Sequence, residues 1–232
     1  MTNEVTFPLL SGIISIDLIN TEVVRHGTRH DLLTQPEHVI AWFHTLTKKS
    51  IIINQQFNKD INHWAEDALP LLRKVRSLLR ENYEKMADEK ILSSDWSTHL
   101  ELFIKQAPFT YQLLNDKLIL IPIGEPEKAL VSLIALDALT LFKSGQLSYI
   151  HRCANPECVL LFIDTRGRRK WCSMKICGNR EKVTRYQQQK KHTNLSMFQP
   201  VDFVDRLFCL VVRVRPSDLA TGMGGTLSAG GR

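Results

Sequence analysis

The chain has no apolar run long enough to cross a bilayer. Its longest, Ile119–Ile123 and Leu207–Val212, fall far short of the roughly 20 residues a spanning helix needs. The N-terminus, MTNEVTFPLL, lacks a basic stretch followed by a long apolar segment and a small-residue cleavage site. A secretory leader is therefore not expected, and the cytoplasm is the expected location. Internal repeats are absent, as is any low-complexity linker ahead of the cysteines. So are the glycine-rich dinucleotide fingerprint, the Walker A loop and the nucleophile elbow. Scattered Ser, His and Asp residues show no spacing that would assemble a triad, so an enzyme is not expected. Cysteine is scarce, with five in 232 residues. Four of the five crowd between 153 and 177, and in a reducing compartment such a cluster reads as a metal site rather than a set of disulfides. Cys209 stands apart in an apolar run and reads as a small buried hydrophobe.

What is present points to an ordinary globular core, with 44% hydrophobic and 23% charged residues. The net charge of +6 is unevenly distributed. From Arg152 to His192 there are eleven Lys/Arg and three Asp/Glu, a local charge of +8. The rest holds 19 basic and 21 acidic residues, or −2. All the excess positive charge thus lies in the segment that holds the four cysteines, which implies an anionic partner.

The fold class expected is α+β: a mainly helical N-terminal domain with a small sheet, then a treble-clef-like zinc ribbon and a basic helix. Residues 1–148 form the first domain, regulatory or dimerising. Residues 149–192 form the zinc-binding domain and 193–232 a C-terminal tail. Ile13–Ile19 is rich in β-branched residues and reads as a strand ended by Asn20-Thr21. Pro36 opens a helix to Lys48 with Val39, Trp42, Phe43 and Leu46 on one face. A longer helical pattern runs from 62 to 88 with the stripe Leu69, Leu72, Val75, Leu78, Leu79, and Pro70 marks a new first turn or a kink. Residues 95–106 read as a helix. Phe109–Leu114 and Lys117–Ile123 flank Asn115-Asp116 as a hairpin. A helix apolar on almost every face runs from Pro126 to Phe142, stopped by Ser144-Gly145. Residues 195–215 read as a short strand, and the Gly/Ser-rich end, 216–232, as disordered.

The metal ligands expected are Cys153, Cys158, Cys172 and Cys177, spaced x4, x13, x4. Two close pairs bridged by a short insert suit a closed tetrahedral site, and four thiolates favour one zinc over an iron–sulfur cluster. Such a site has no open coordination position, so a structural role is expected. Asn155-Pro156 supplies a turn. Val159–Asp164 reads as extended, turning at Thr165-Arg166-Gly167 and returning along Arg168–Trp171 to make a hairpin. Gly178 gives backbone freedom and Asn179 caps a helix. His151 and His192 read as solvated. Arg166, Arg168, Arg169 and Lys170 crowd the hairpin turn. Arg180, Lys182, Arg185, Gln189, Lys190 and Lys191 follow on the helix beside Tyr186. At helical spacing Lys182, Arg185 and Gln189 share a face. These side chains can bond phosphate, and Arg and Gln can read base edges. Double-stranded DNA is the expected partner, and a zinc-stabilised protein-interaction module or an RNA binder is the alternative.

Cys177-Gly178-Asn179-Arg180 is the centre of a wider pattern that runs from His151 to Cys158 and from Trp171 to Tyr186. In these motifs the chain resembles the CGNR zinc-finger family of stress-induced transcription regulators. Ile16-Asp17-Leu18-Ile19-Asn20-Thr21, then Asp31-Leu32-Leu33 and Ala41-Trp42, are similar to the start of that family's companion domain. The resemblance covers about residues 10–191 and stops near His192. It implies a bacterial DNA-binding regulator whose zinc module contacts DNA. For the N-terminal domain two readings of Asp17, Asn20, Thr21 and Arg25 stand side by side: a pocket for a small-molecule effector, or a polar network that closes the fold. A homodimer is the further partner considered.

Overall fold

The computed structural model describes the backbone of residues 5–196 and the side chains of residues 5–190. Contacts group Met1–Arg185 into one compact unit and Tyr186–Arg232 into a second. The strand expected within 195–215, Cys209 and the Gly/Ser-rich end lie outside the described residues, as do the side chains of Lys191 and His192.

Residues Ile14–Ile19 form a short helix, α1, with every residue buried, where a strand was expected. Burial on all sides leaves no period to read, and β-branched residues then mimic a strand. Two short strands follow, β1 (Glu22–Arg25) and β2 (Thr28–Asp31), paired antiparallel across His26-Gly27. Both loop residues have positive φ, 51° and 76°, the type I′ turn that suits a two-residue hairpin.

Helix α2 (Pro36–Lys48) has proline in its first turn and buries Val39, Trp42, Phe43 and Leu46 along one stripe. The longest helix, α3 (Ala65–Glu89), runs through Pro70 and buries Leu72, Val75, Leu79 and Tyr83. It also buries two arginines, Arg76 and Arg80. Helix α4 (Trp96–Gln106) leads into the expected hairpin β3 (Phe109–Leu114) and β4 (Lys117–Pro122), turned by Asn115 and Asp116 at positive φ. Helix α5 (Pro126–Lys143) packs on both α3 and α4 and is buried on several faces, as its composition predicts. The helices therefore share one core around Trp42, Tyr83 and Trp96. No described helix is long and apolar enough to cross a membrane.

Strands β5 (Ile150–Arg152) and β6 (Leu161–Ile163) pair antiparallel, with the first two cysteines in their connection. This corrects the expected pairing of Val159–Asp164 with Arg168–Trp171. Ile150 and Leu161 reach the main core, whereas Arg168, Arg169 and Lys170 are exposed and bring no apolar surface to bury. A π-type turn, Met174–Gly178, runs directly into α6 (Asn179–Ser196). Among the described residues the strands thus make three two-stranded sheets in a mainly helical α+β fold.

Ion pairs of the buried Arg76 and Arg80 and of the exposed Arg152 tie these parts together. Arg76 bonds Asp31 through two nitrogens at 2.6 Å and Thr21 Oγ1 at 2.8 Å. Arg80 pairs with Glu22 at 3.0 Å and Glu84 at 2.9 Å, and donates to the carbonyls of Ile19 and Val159. Arg152 on β5 pairs with Asp88 at 2.6 Å and Glu84 at 3.3 Å on α3. One face of α3 thereby holds both the β1–β2 hairpin and the cysteine-bearing segment.

Candidate metal centre and cationic surface

The four cysteine sulfurs lie within 4.8 Å of one another. Cys153, Cys172 and Cys177 are buried, and Cys158 is partly so. Cys158 Sγ and Cys172 Sγ are 3.9 Å apart. A tetrahedron with Zn–S near 2.3 Å requires about 3.8 Å between sulfurs, so the donors fit one zinc.

Local chemistry explains how the loops present these sulfurs. Asn155 Oδ1 accepts the Glu157 N–H at 3.0 Å, and the Asn155 carbonyl accepts the Cys158 N–H at 2.9 Å, which closes the first turn. Ala154 N–H donates to the Lys170 carbonyl at 2.8 Å and brings the second pair alongside. Asp164 accepts the backbone N–H groups of Arg166 at 3.1 Å and Arg169 at 2.6 Å, which folds the intervening turn. Ser173 Oγ accepts the Ile176 N–H at 3.0 Å and caps the turn that carries Cys177. The cap expected at Asn179 is thus displaced to Ser173, and Cys177 sits inside the helical stretch. Gly178 also departs from expectation. It does not have a positive φ, and a Cβ there would meet the flexible end of the exposed Met174 side chain, which can move aside.

Two donors face the sulfurs from outside the cluster: Cys172 N–H to Cys153 Sγ at 3.4 Å and Asn155 Nδ2 to Cys177 Sγ at 3.7 Å. Such bonds stabilise thiolate ligands. Hydrogen bonds shared among the sulfurs hold the Cys153 thiol low and push those of Cys158 and Cys172 up, and a divalent cation would favour all four thiolates together. A zinc held by all four cysteines would have no free position left for chemistry. His151 lies outside the cluster, with its ring 6.1 Å from that of Phe162.

The sequence-predicted cations divide by environment. Arg166, Arg168 and Lys170 are exposed on the turn, and Arg180 and Lys182 on the first turns of α6. None of these five side chains engages a carboxylate among the described residues. Arg185 is exposed and pairs with Glu181 at 3.0 Å. Arg169 is placed differently. Its guanidinium lies 4.4 Å from the Phe162 ring centre and donates to the carbonyls of Ile163 and Cys172, so it braces the metal segment. In the second unit Lys190 lies over the Tyr186 ring at 5.1 Å, and Gln189 is exposed.

Three of the four N-terminal polar residues are committed to the fold. Asp17 accepts the N–H groups of Leu10, Ser11 and Gly12. Asn20 bonds both the N–H and the carbonyl of Leu161, at 3.0 and 2.9 Å. Thr21 donates to the Leu18 carbonyl and accepts from Arg76. Asn20 thus ties the end of α1 to β6, Thr21 ties it to α3, and Asp17 holds the loop ahead of it. Arg25 parts from them: it is exposed and lines a cavity of about 270 Å³ with Val23, Val24, Cys158, Ile176 and Arg180. Arg80, Ser173 and Asp164, all of which hold the site, were not singled out in the sequence, nor was Arg76, which holds the β1–β2 hairpin. Only Ser173, three residues before Ile176, carried a readable capping signal.

Residues 150–190 match the family model described as CGNR zinc finger. No curated protein matches the chain.

Proposed function

We propose that this chain, whose residues 150–190 match the CGNR zinc-finger model, is a zinc-dependent transcription regulator that binds duplex DNA. The observation that carries this reading is the placing of exposed cations on the two elements the cysteines position. Arg166, Arg168 and Lys170 stand on the turn between the ligand pairs, and Arg180, Lys182 and Arg185 follow directly after the fourth ligand. Zinc fixes where these cations stand, and the helical body to which α3 ties the segment serves as platform. The turn cations grip phosphates, and the helix offers Arg185 and Gln189 to base edges. The metal is read as structural and the protein as a binder, not an enzyme. RNA recognition is less favoured: Phe162 is fully buried and Trp171 packs on the cysteine cluster, which leaves Tyr186 as the exposed aromatic of the zinc segment for stacking.

The test is fluorescence anisotropy of the zinc-loaded protein with a duplex selected from genomic fragments and with a scrambled one. With about four to six phosphate contacts, affinity falls by two to three orders of magnitude between about 50 and 200 mM salt. Arg168→Ala weakens both duplexes alike, and Arg185→Ala narrows the gap between them by about 1–3 kcal/mol. A flat salt response would transfer the reading to a protein-interaction module.

A further inference from the structure

The β1–β2 hairpin is a second cationic element, and it belongs to the part of the chain whose overall charge is slightly negative. From Arg25 to His30 every residue is exposed. They read Arg-His-Gly-Thr-Arg-His: two guanidiniums, two imidazoles, a hydroxyl and no carboxylate. The hairpin's two carboxylates, Glu22 and Asp31, face each other at its base, where Arg76, Arg80 and Arg73 hold them. Arg29 turns back onto Glu22. The Arg25 side chain has no carboxylate or hydrogen-bond partner among the described residues.

This ribbon is clamped at its base and stands beside the cysteine cluster. Arg76, 4% exposed, clamps its base to α3. Val23 packs against the cysteine cluster. Arg25 from the ribbon and Arg180 from α6 line one cavity, whose single carboxylate residue is Glu157. The cysteine cluster is thus flanked by cations from two separate parts of the chain.

We propose that the β1–β2 hairpin is a second DNA-contacting arm, with Arg25 gripping the phosphate backbone beside Arg180. The proposal rests on the DNA reading above. A two-stranded ribbon closed by a tight turn is narrow enough to follow a groove about 12 Å wide. A guanidinium without a carboxylate partner gives up no ion pair when it meets a phosphate. The arm contributes affinity and orientation, and sequence selection stays with α6.

The test measures the salt slope of DNA affinity for the full chain, zinc loaded, and for Arg25→Ala and Arg25→Gln, with Lys117→Ala as control. Lys117 is an exposed lysine on the β3–β4 hairpin. Both Arg25 variants should reduce the slope by about 1 and weaken selected and scrambled duplexes by the same factor. Zinc content and thermal midpoint should stay unchanged, since the side chain is exposed and has no partner. Lys117→Ala should leave the slope as it is. A slope that Arg168→Ala lowers but neither Arg25 variant does would overturn the arm and leave the DNA reading intact. An equal drop for Lys117→Ala would overturn it too, because net charge alone would then explain the effect. Absence of DNA binding by the parent protein would remove both readings.

Discussion

Asn20 shows how one side chain can stand in for a strand. It is fully buried, and its amide offers β6 the donor and acceptor that a neighbouring strand would supply at Leu161. The sequence marks Asn20 as a polar residue worth attention but does not say which kind, because a buried amide in a fold network and an amide in a ligand pocket share one residue type. Asn20→Ala leaves both Leu161 backbone groups buried without partners. The expected loss is about 2–3 kcal/mol, read as a lower denaturation midpoint in urea with an unchanged m value. A loss below about 0.5 kcal/mol, the range of an ordinary surface substitution, would show that the amide is dispensable. Arg169 makes a similar point for charge. Counting cations placed it with Arg168 and Lys170, yet its guanidinium lies against Phe162 and bonds two carbonyls.

Elements with one apolar stripe were legible, and elements without one were not. Val39, Trp42, Phe43 and Leu46 announce α2 by spacing alone, and Asn115-Asp116 announces the β3–β4 turn. The all-round burial of α1 erases its period, and β-branched composition then favours the wrong state. The β1–β2 hairpin is four residues a strand and exposed at its tip, and its one cue, Gly27, is weak. The cysteine quartet was fully legible because its signal is spacing. What spacing could not give is which strands pair around it. Ile150 and Leu161 belong to the main core, whereas Leu160, Phe162, Cys153, Cys172 and Cys177 form a separate small cluster. Removing zinc should therefore loosen the second cluster without unfolding the first, since structural zinc contributes folding free energy locally. Hydrogen exchange in the presence of a chelator should show protection lost around residues 153–158 and 172–178 and retained in α3 and α5. Simultaneous loss in all of these would mean that the cores fold as one.

At the scale of the whole molecule, two groups of carboxylates respond to pH in opposite directions. Burial alone would raise Asp31 and Glu84, but the guanidiniums of Arg76 for the first, and of Arg80 and Arg152 for the second, more than reverse it. Arg152 lowers Asp88 directly. Stability from these pairs is present above the ordinary carboxylate range and is lost as pH falls through their lowered values. Asp17 runs the other way. Burial raises it to about 6 against the opposing N–H bonds from Ser11, Leu10 and Gly12, and burial raises Asp137 as well. A raised acid contributes stability that is complete below its unfolded value and lost as pH rises through its folded one. Between about pH 5 and 7, where the lowered carboxylates stay ionised, the parent protein should lose stability relative to Asp17→Asn. Thermal midpoints of the two across that window test this. A constant difference would mean that the N–H donors outweigh burial at Asp17.

Cys177 lies within the helical turn that continues as α6, so the metal fixes a bearing as well as a position. An α-helix turns by about 100° for each residue. One neutral residue inserted after Asn179 would preserve every cysteine, every cation and the net charge, yet swing Arg180, Lys182 and Arg185 a quarter-circle or more around the axis. Four inserted residues would bring them back near their first heading, about 6 Å farther along. The count of residues from the last ligand is thus an angular setting, and no measure of composition or charge registers it.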